Sequence, residues 1–425
     1  MVTLLASYGL AAYVTRIFAA NSMELRNISI VLVNTKRDNF KMTIFSLVIG
    51  TILSVMLLII GLTPLGTWLI RDVHRQSQEV SDTTCSIIAY LSITPLIEAA
   101  AYYYEGGLIY HKLTVYAGAA KFADFLMQVI FVIGLLFTPT RTEPVLVPVS
   151  ALYAGLIARL ILAVGFWYVF ARDKLPVTSS REKPLTVGQG ICFWFPLTLV
   201  RLAQVLGRPI INLVVSRNLA VNVSEEAAAQ AVAVLTAVYP TSRVFFSWLT
   251  DLRTVVPTFH KQTDMHPKFK MKFLTLYATS CTLLVFLINI ILFITPGVAY
   301  GIMTKVVVGM RSHLSGILLA KKKTIYLTPS AIFRFLSILL ALATVPKLGL
   351  SGANLGVTCL EFSFAVELFF VALACVLVKL KPDLDITSCW KRNKPKPEDV
   401  TLMEAAAAVN PNDSSNNTGA PHAPP

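Results

Sequence analysis

Charge is scarce in this sequence. Only 14% of its 425 residues are Asp, Glu, Lys or Arg, 55% are hydrophobic, and the mean hydropathy is +0.66. A domain bathed in water needs more charge than that on its surface, so a soluble enzyme is a poor first reading. Catalytic constellations are missing too: there is no phosphate-cradling Gly-x-x-x-x-Gly-Lys-Ser/Thr, no His-Glu-x-x-His and no Gly-x-Ser-x-Gly. The histidines His74, His111, His260, His266, His313 and His422 are scattered, and the cysteines Cys85, Cys192, Cys281, Cys359, Cys375 and Cys389 show neither metal-finger nor redox spacing. Neither enzyme, metal, cofactor nor disulfide framework is expected. Acidic residues are the rarer sign, 23 against 37 basic, a net charge of +14 that has to be tested as a loop bias before nucleic acid is invoked.

Long apolar runs are abundant. Met42 to Leu62 and Phe273 to Ile294 carry no formal charge, and a helix of about 20 such residues crosses a hydrocarbon core about 30 Å thick. Weaker runs lie near 3–20, 86–109, 122–139, 147–170, 188–214, 228–250, 297–319, 325–345 and 351–378. The pattern predicts an all-α polytopic membrane protein with about eleven spanning segments. Lipid-facing strands would instead alternate with period two.

Basic residues set the orientation. Connections 21–41, 110–121, 171–187, 251–271, 320–324 and the tail from 379 hold 23 Lys and Arg, whereas the alternate connections hold five. The first set is therefore expected in the cytosol, which removes the support for nucleic acid as a partner. This parity would put the N-terminus outside without a signal sequence, so the reading expects a missing first helix. The chain divides into an N-terminal bundle over 1–170, a basic cytosolic connection over 171–187, a C-terminal bundle over 188–380 and a polar cytosolic tail over 381–425 expected to be disordered. Of four Asn-x-Ser/Thr sequons, only Asn222 falls on an outside connection. No internal sequence repeat stands out.

An ionisable group at bilayer depth is expensive, so each one is a functional candidate. Glu98, Glu105, Asp124, Gln128, Arg159, Arg201, Gln204, Arg208, Arg243, Lys305, Arg334, Glu361 and Glu367 all fall in predicted spans. Snorkelling to the headgroups accounts for Lys305 and Glu105 in this reading. Arg201, Gln204, Arg208 and Asn212 share one helical face. Such a stripe suits bidentate capture of an anion, and it equally suits an ion pair with Glu98 or Asp124 that serves packing. Gly207-Arg208-Pro209 is expected to interrupt the helix, and Trp68, Trp167 and Trp248 to sit at the interfaces. The carboxylates Glu98, Asp124 and Glu367 are candidates for ion coupling or for pairing with the arginines.

Several blocks taken together carry a family resemblance: Leu5-Ala6-Ser7-Tyr8-Gly9-Leu10, Asn34-Thr35-Lys36-Arg37-Asp38, Trp194-Phe195-Pro196-Leu197, Gln204 through Leu213, Ser216-Arg217, Tyr239-Pro240, Trp248 through Arg253, and Gly349 to Val357. Up to about residue 380 the chain resembles the progressive ankylosis protein family. The resemblance implies a fold similar to the multidrug, oligosaccharidyl-lipid and polysaccharide exporters, two helical bundles around a central cavity. It also implies export of anions across the plasma membrane, namely inorganic pyrophosphate or phosphate, with ATP and citrate as alternatives, and a link to regulation of mineralisation. Arg208, Gln204, Arg159, Arg334, Asp124, Gln128, Arg253 and Glu367 match the family pattern; Glu98 replaces an Asp, while Arg201 and Arg243 depart from it. Relatives carry one more helix before Leu5 and a further stretch between Gly309 and Met310. The partners expected are a small anion and the lipid bilayer. The competing readings are a flippase for lipid-linked or drug-like cargo and a non-transporting membrane scaffold.

Overall fold

The computed structural model describes residues 2–73, 78–137, 146–177, 185–222, 247–260, 267–292, 299–348 and 352–380. In chain order the helices are α1 (Val2–Ser22), α2 (Leu25–Val31), α3 (Lys36–Leu62), α4 (Pro64–Thr67), α5 (Gln78–Tyr90), α6 (Thr94–Tyr110), α7 (Thr114–Phe137), α8 (Leu146–Phe166), α9 (Val187–Asn222), α10 (Leu252–His260), α11 (Pro267–Leu292), α12 (Ala299–Ala320), α13 (Thr328–Thr344) and α14 (Gly352–Leu380). There is no strand among the described residues. Seven of these helical stretches are long and apolar enough to cross a membrane, with shorter apolar helices at Met271–Leu287 and Val306–Ala320. The fold is an all-α multipass membrane protein, as expected. The segment anticipated over 228–250 lies outside the described residues except for its end, which begins the 3-10 turn Ser247–Asp251.

Packing follows the logic of helices in lipid, where no hydrophobic force drives helix to helix and small residues let backbones approach. Phe122, Phe125, Ile130 and Ile133 of α7 stay exposed for the acyl chains. By contrast, Ala99, Ala100, Ala101, Gly106 and Gly107 of α6 are buried, and α2 and α3 pack on that helix. The start of α3 is fixed by its cap, because Asp38 N donates to Thr35 Oγ1 at 3.1 Å. Asp38 Oδ1 in turn accepts from Leu185 N at 3.1 Å and Lys36 N donates to Pro176 O at 3.0 Å, tying the connection between the bundles to α3.

Several expectations are corrected. Connection 21–41 is not simply a loop: every residue of α2 is buried. Connection 251–271 likewise folds into α10, which packs on α12 and touches α2. Helix α9 runs unbroken through Pro196 and Pro209 to Asn222, so no unwound stretch forms at Gly207 and the Asn222 sequon ends a helix. Proline is tolerated there because, at membrane depth, neighbouring groups can take up the freed backbone carbonyls. Trp167 is buried against Gly107 and Tyr104 instead of standing at an interface. Cys192 is disulfide-bonded, although the cysteine spacing does not announce it.

A repeat invisible as sequence similarity appears in three dimensions. Helices α6 and α12 end alike, with Lys112 (φ 62°) and Lys322 (φ 57°) in the left-handed region. In both, the next amide bonds back five residues, Leu113 N to Leu108 O at 2.9 Å and Lys323 N to Leu318 O at 3.0 Å. The same interval relates Gly106 to Gly316, and there α2 and α10 come closest to their spans. A Cβ on Gly106 would stand 2.5 Å from Arg26 O, and one on Gly316 2.7 Å from Arg253 O. Gly106→Ala and Gly316→Ala are each expected to cost about 1–3 kcal/mol by forcing a backbone apart, read as a lower melting temperature in detergent. Gly118→Ala, whose added Cβ meets nothing within 4 Å, should melt like the parent.

Candidate functional site

Each bundle holds a buried three-residue ion cluster, and the two have opposite signs. In the first, Arg159 of α8 lies between Glu105 of α6 (Nε to Oε1, 2.5 Å) and Asp124 of α7 (Nη1 to Oδ2, 3.8 Å), with its guanidinium 4.1 Å from the centre of the Tyr102 ring. In the second, Glu367 of α14 accepts from Arg311 of α12 at 2.7 Å, from Arg334 of α13, and from Gln204 of α9 at 2.8 Å. The Phe364 ring backs both arginines, with Arg334 at 4.3 Å and Arg311 at 5.4 Å from its centre. The helices correspond within the repeat, but one cluster puts a cation between two acids and the other an acid between two cations. Glu105 is fully buried here and is no snorkelling residue, because the fixed charge of Arg159 at hydrocarbon depth requires an anion beside it.

Between the bundles lies a cavity of about 40 Å³. Its first wall is the end of α1 and α2, with Met23, Glu24, Arg26 and Asn27; opposite stand Val200, Arg201 and Gln204 of α9, Thr250 and Arg253 around the start of α10, and Arg311, Ser312 and Ser315 of α12. Four guanidinium groups thus face one carboxylate. Their existing partners are few: Arg253 Nη1 donates to Glu24 Oε1 at 3.0 Å, and Arg26 Nη2 to Asp251 Oδ1 at 2.7 Å, with Lys121 Nζ 3.7 Å from Asp251 Oδ2. Burial pushes the Asp251 carboxyl up, but Arg26 and Lys121 outweigh it and hold it down at about 2, so it stays ionised at neutral pH. Arg26 Nε, Arg201 Nε and Arg253 Nε and Nη2 are buried and have no acceptor among the described residues, as is also true of Arg159 Nη2 in the first cluster.

The sequence-derived candidates divide. Arg201 and Gln204 line the cavity. Arg201 makes no ion pair among the described residues; its guanidinium donates only to Gln204 Oε1 at 3.4 Å and to the weak acceptor Met23 Sδ at 2.8 Å. The expected alternative, an ion pair of Arg201 with Glu98 or Asp124, is therefore not formed: Asp124 belongs to Arg159, and half-buried Glu98 lies on α6. Arg159 and Arg334 are locked to carboxylates and stand apart from the cavity lining. Arg208 and Asn212 continue α9, but their side chains, like those of Arg243 and Lys305, lie outside the described residues. Sequence reasoning missed Glu24, Arg26 and Arg311. Arg26 counts among the basic residues of connection 21–41 and Glu24 falls in the same connection, and the signal that could have raised both is the acid–Leu–Arg tripeptide that recurs at Asp251-Leu252-Arg253.

Glu367→Ala strands two buried guanidinium groups and is expected to cost about 3–5 kcal/mol, measured as a fall in melting temperature. Converting Arg311 and Arg334 to Met in the same chain should restore most of the loss, since no unpaired charge then remains buried.

Comparison with known proteins agrees with this architecture. The chain is similar to the eukaryotic MATE transporter AtDTX14 (TM-score 0.63, 12% identity, 88% of this chain and 87% of that one). It is also similar to an outward-facing multidrug resistance MATE family transporter of the MOP superfamily (TM-score 0.57, 14% identity, 89% and 86%). A third similar structure is a MOP superfamily transporter from Pyrococcus furiosus, described as having a binding pocket of reverse polarity (TM-score 0.54, 15% identity, 90% and 86%). At such identities the likeness is one of fold. The family model of the progressive ankylosis protein (ANKH) matches residues 1–298, well over half of the chain, and this multipass membrane protein therefore belongs to the progressive ankylosis protein family.

Proposed function

We propose that the chain is an anion transporter that carries inorganic pyrophosphate or phosphate, with ATP or citrate as alternative cargo, across the plasma membrane through the cavity between its bundles. The observation that carries this reading is the unspent hydrogen-bonding capacity of Arg26, Arg201 and Arg253 around one buried hollow. A guanidinium cannot discharge itself by losing a proton, so a fork of N–H groups without an acceptor in a low-dielectric site favours an oxyanion. The protein contains no motif for spending ATP, so flow is facilitated or coupled to an ion. Arg201 and Gln204 are the contact residues, with Arg208 and Asn212 further along the same helix. Arg159, Arg334, Asp124 and Glu367 take ion-pairing roles that hold the bundles rigid around the site, and Glu98, which makes no salt bridge among the described residues, is the candidate left for ion coupling.

At about 40 Å³ the hollow has room for a few waters, less than a pyrophosphate needs. The conformation is therefore a closed one, and transport requires the bundles to part and expose the site to alternate sides. The reverse polarity described for the Pyrococcus furiosus pocket lends support, since it places an inverted binding charge on this fold. A flippase for apolar cargo fits less well, because among the described residues no aromatic side chain lines the hollow. A pure scaffold would pair its intramembrane charges internally, as Arg159 and Arg334 do; Arg201 does not.

Efflux of labelled pyrophosphate, ATP and citrate from cells making the wild type or Arg201→Ala separates these readings. Losing one charge-assisted contact of about 1.5–3 kcal/mol should cut efflux of the carried anion about tenfold or more at equal surface expression. Equal efflux from both would contradict the assignment, and no efflux above untransfected cells for any of the three anions would favour the scaffold.

A further inference from the structure

The tripeptides Glu24-Leu25-Arg26 and Asp251-Leu252-Arg253 are more than a coincidence of spelling. Both leucines are buried, Leu25 at 0% and Leu252 at 3% exposure. Both arginines set their backbone carbonyl against the corresponding glycine of a spanning helix, Gly106 or Gly316. The two copies then bond each other reciprocally: Arg253 of the second reaches Glu24 of the first at 3.0 Å, and Arg26 of the first reaches Asp251 of the second at 2.7 Å. That is the contact pattern of a two-fold interface, in which i meets j and j meets i, built here within one chain and across its two bundles. Among the described residues the same arginines have further buried N–H groups, Arg26 Nε and Arg253 Nε and Nη2, that meet no acceptor. Each guanidinium is thus divided between a carboxylate that joins the bundles and the hollow between them.

We infer that the two acid–Leu–Arg copies form a reciprocal latch closing one end of the hollow, and that the transported anion opens it by drawing Arg26 and Arg253 away from Asp251 and Glu24. The latch stands on the geometry; its opening by cargo rests on the anion-transport reading above. An oxyanion with two or more negative charges can engage both guanidiniums at once, leaving Glu24 without its arginine, Asp251 with Lys121 alone, and the bundles without their reciprocal tie. A monovalent anion can satisfy only one arginine and leaves the other pair shut. The latch therefore selects by charge number, pyrophosphate over chloride, without a dedicated filter.

The rate at which a thiol reagent labels Ser312→Cys, on the buried wall of the hollow, reports closure once the parent's own labelling is subtracted. Glu24→Arg and Arg253→Glu should each speed labelling about tenfold or more, because each sets two like charges face to face at the buried interface. The exchanged pair Glu24→Arg with Arg253→Glu should return to the parent rate, and added pyrophosphate, but not chloride, should speed labelling of the otherwise unaltered Ser312→Cys protein. A double exchange that melts like the parent yet labels as fast as the single variants overturns the latch. Should that exchange not fold, Arg26→Asp with Asp251→Arg, made together with Lys121→Met so that no like charge stands beside position 251, is judged by the same two readouts against Lys121→Met alone. A restored latch that pyrophosphate leaves shut, in a protein whose pyrophosphate efflux depends on Arg201, overturns the opening step alone. Absence of any anion efflux removes the transport reading and the opening step, while the charge exchange still decides the latch.

Discussion

An arginine keeps its charge at any pH a cell offers, so every guanidinium carried to the depth of a bilayer has to be met by an anion from somewhere. The arrangement of this protein follows from how that demand is met. Arg159 is satisfied within the first bundle by Glu105 and Asp124, and Arg311 and Arg334 within the second by Glu367. At the junction Arg26 and Arg253 receive one carboxylate each, and the supply runs short at Arg201, which receives none among the described residues. The deficit falls where the bundles meet, which is where the proposed anion transport needs its passenger.

The two clusters inside the bundles explain why the deficit can persist without the protein collapsing on it. Gln204 ties the wall of the hollow to Glu367 at 2.8 Å, so Arg201 is mounted on a helix held by a buried ion network. Glu367, 1% exposed, is held by two arginines and an amide and makes no ion pair with Arg201 among the described residues. In the first bundle the excess is acidic, in the second basic. This inversion lets one repeated fold hold a rigid ion network in each half and still present a net positive surface between the halves.

Much of the fold is legible in the sequence, because long uncharged runs have few other physical interpretations: α3, α7, α8, α13 and α14 fall where apolar length alone puts them. The parts that were missed are those where charge sits in short helices. A stretch such as Glu24 to Val31, with two ionic side chains and a sequon, reads as loop until its partner surface on Gly106 is known. Arg201 and Gln204 were legible because a polar stripe on an apolar helix is conspicuous. The role of Arg311 was not, although it falls inside the segment 297–319, because its partner Glu367 lies on another helix that the sequence does not place beside it. The repeat hid because it survives only in a tripeptide, a glycine and a helix cap, features set by backbone approach and charge that leave most side chains free to diverge.

Whether an anion completes the coordination of the junction arginines can be seen directly, by determining the structure of the protein in lipid nanodiscs with and without pyrophosphate. The account predicts density for the anion against the guanidiniums of Arg26, Arg201 and Arg253 in a hollow wider than about 40 Å³, with the contacts of Arg26 to Asp251 and Arg253 to Glu24 broken. Arginines still bound to their own carboxylates at saturating pyrophosphate, around an unchanged and unoccupied hollow, would contradict it.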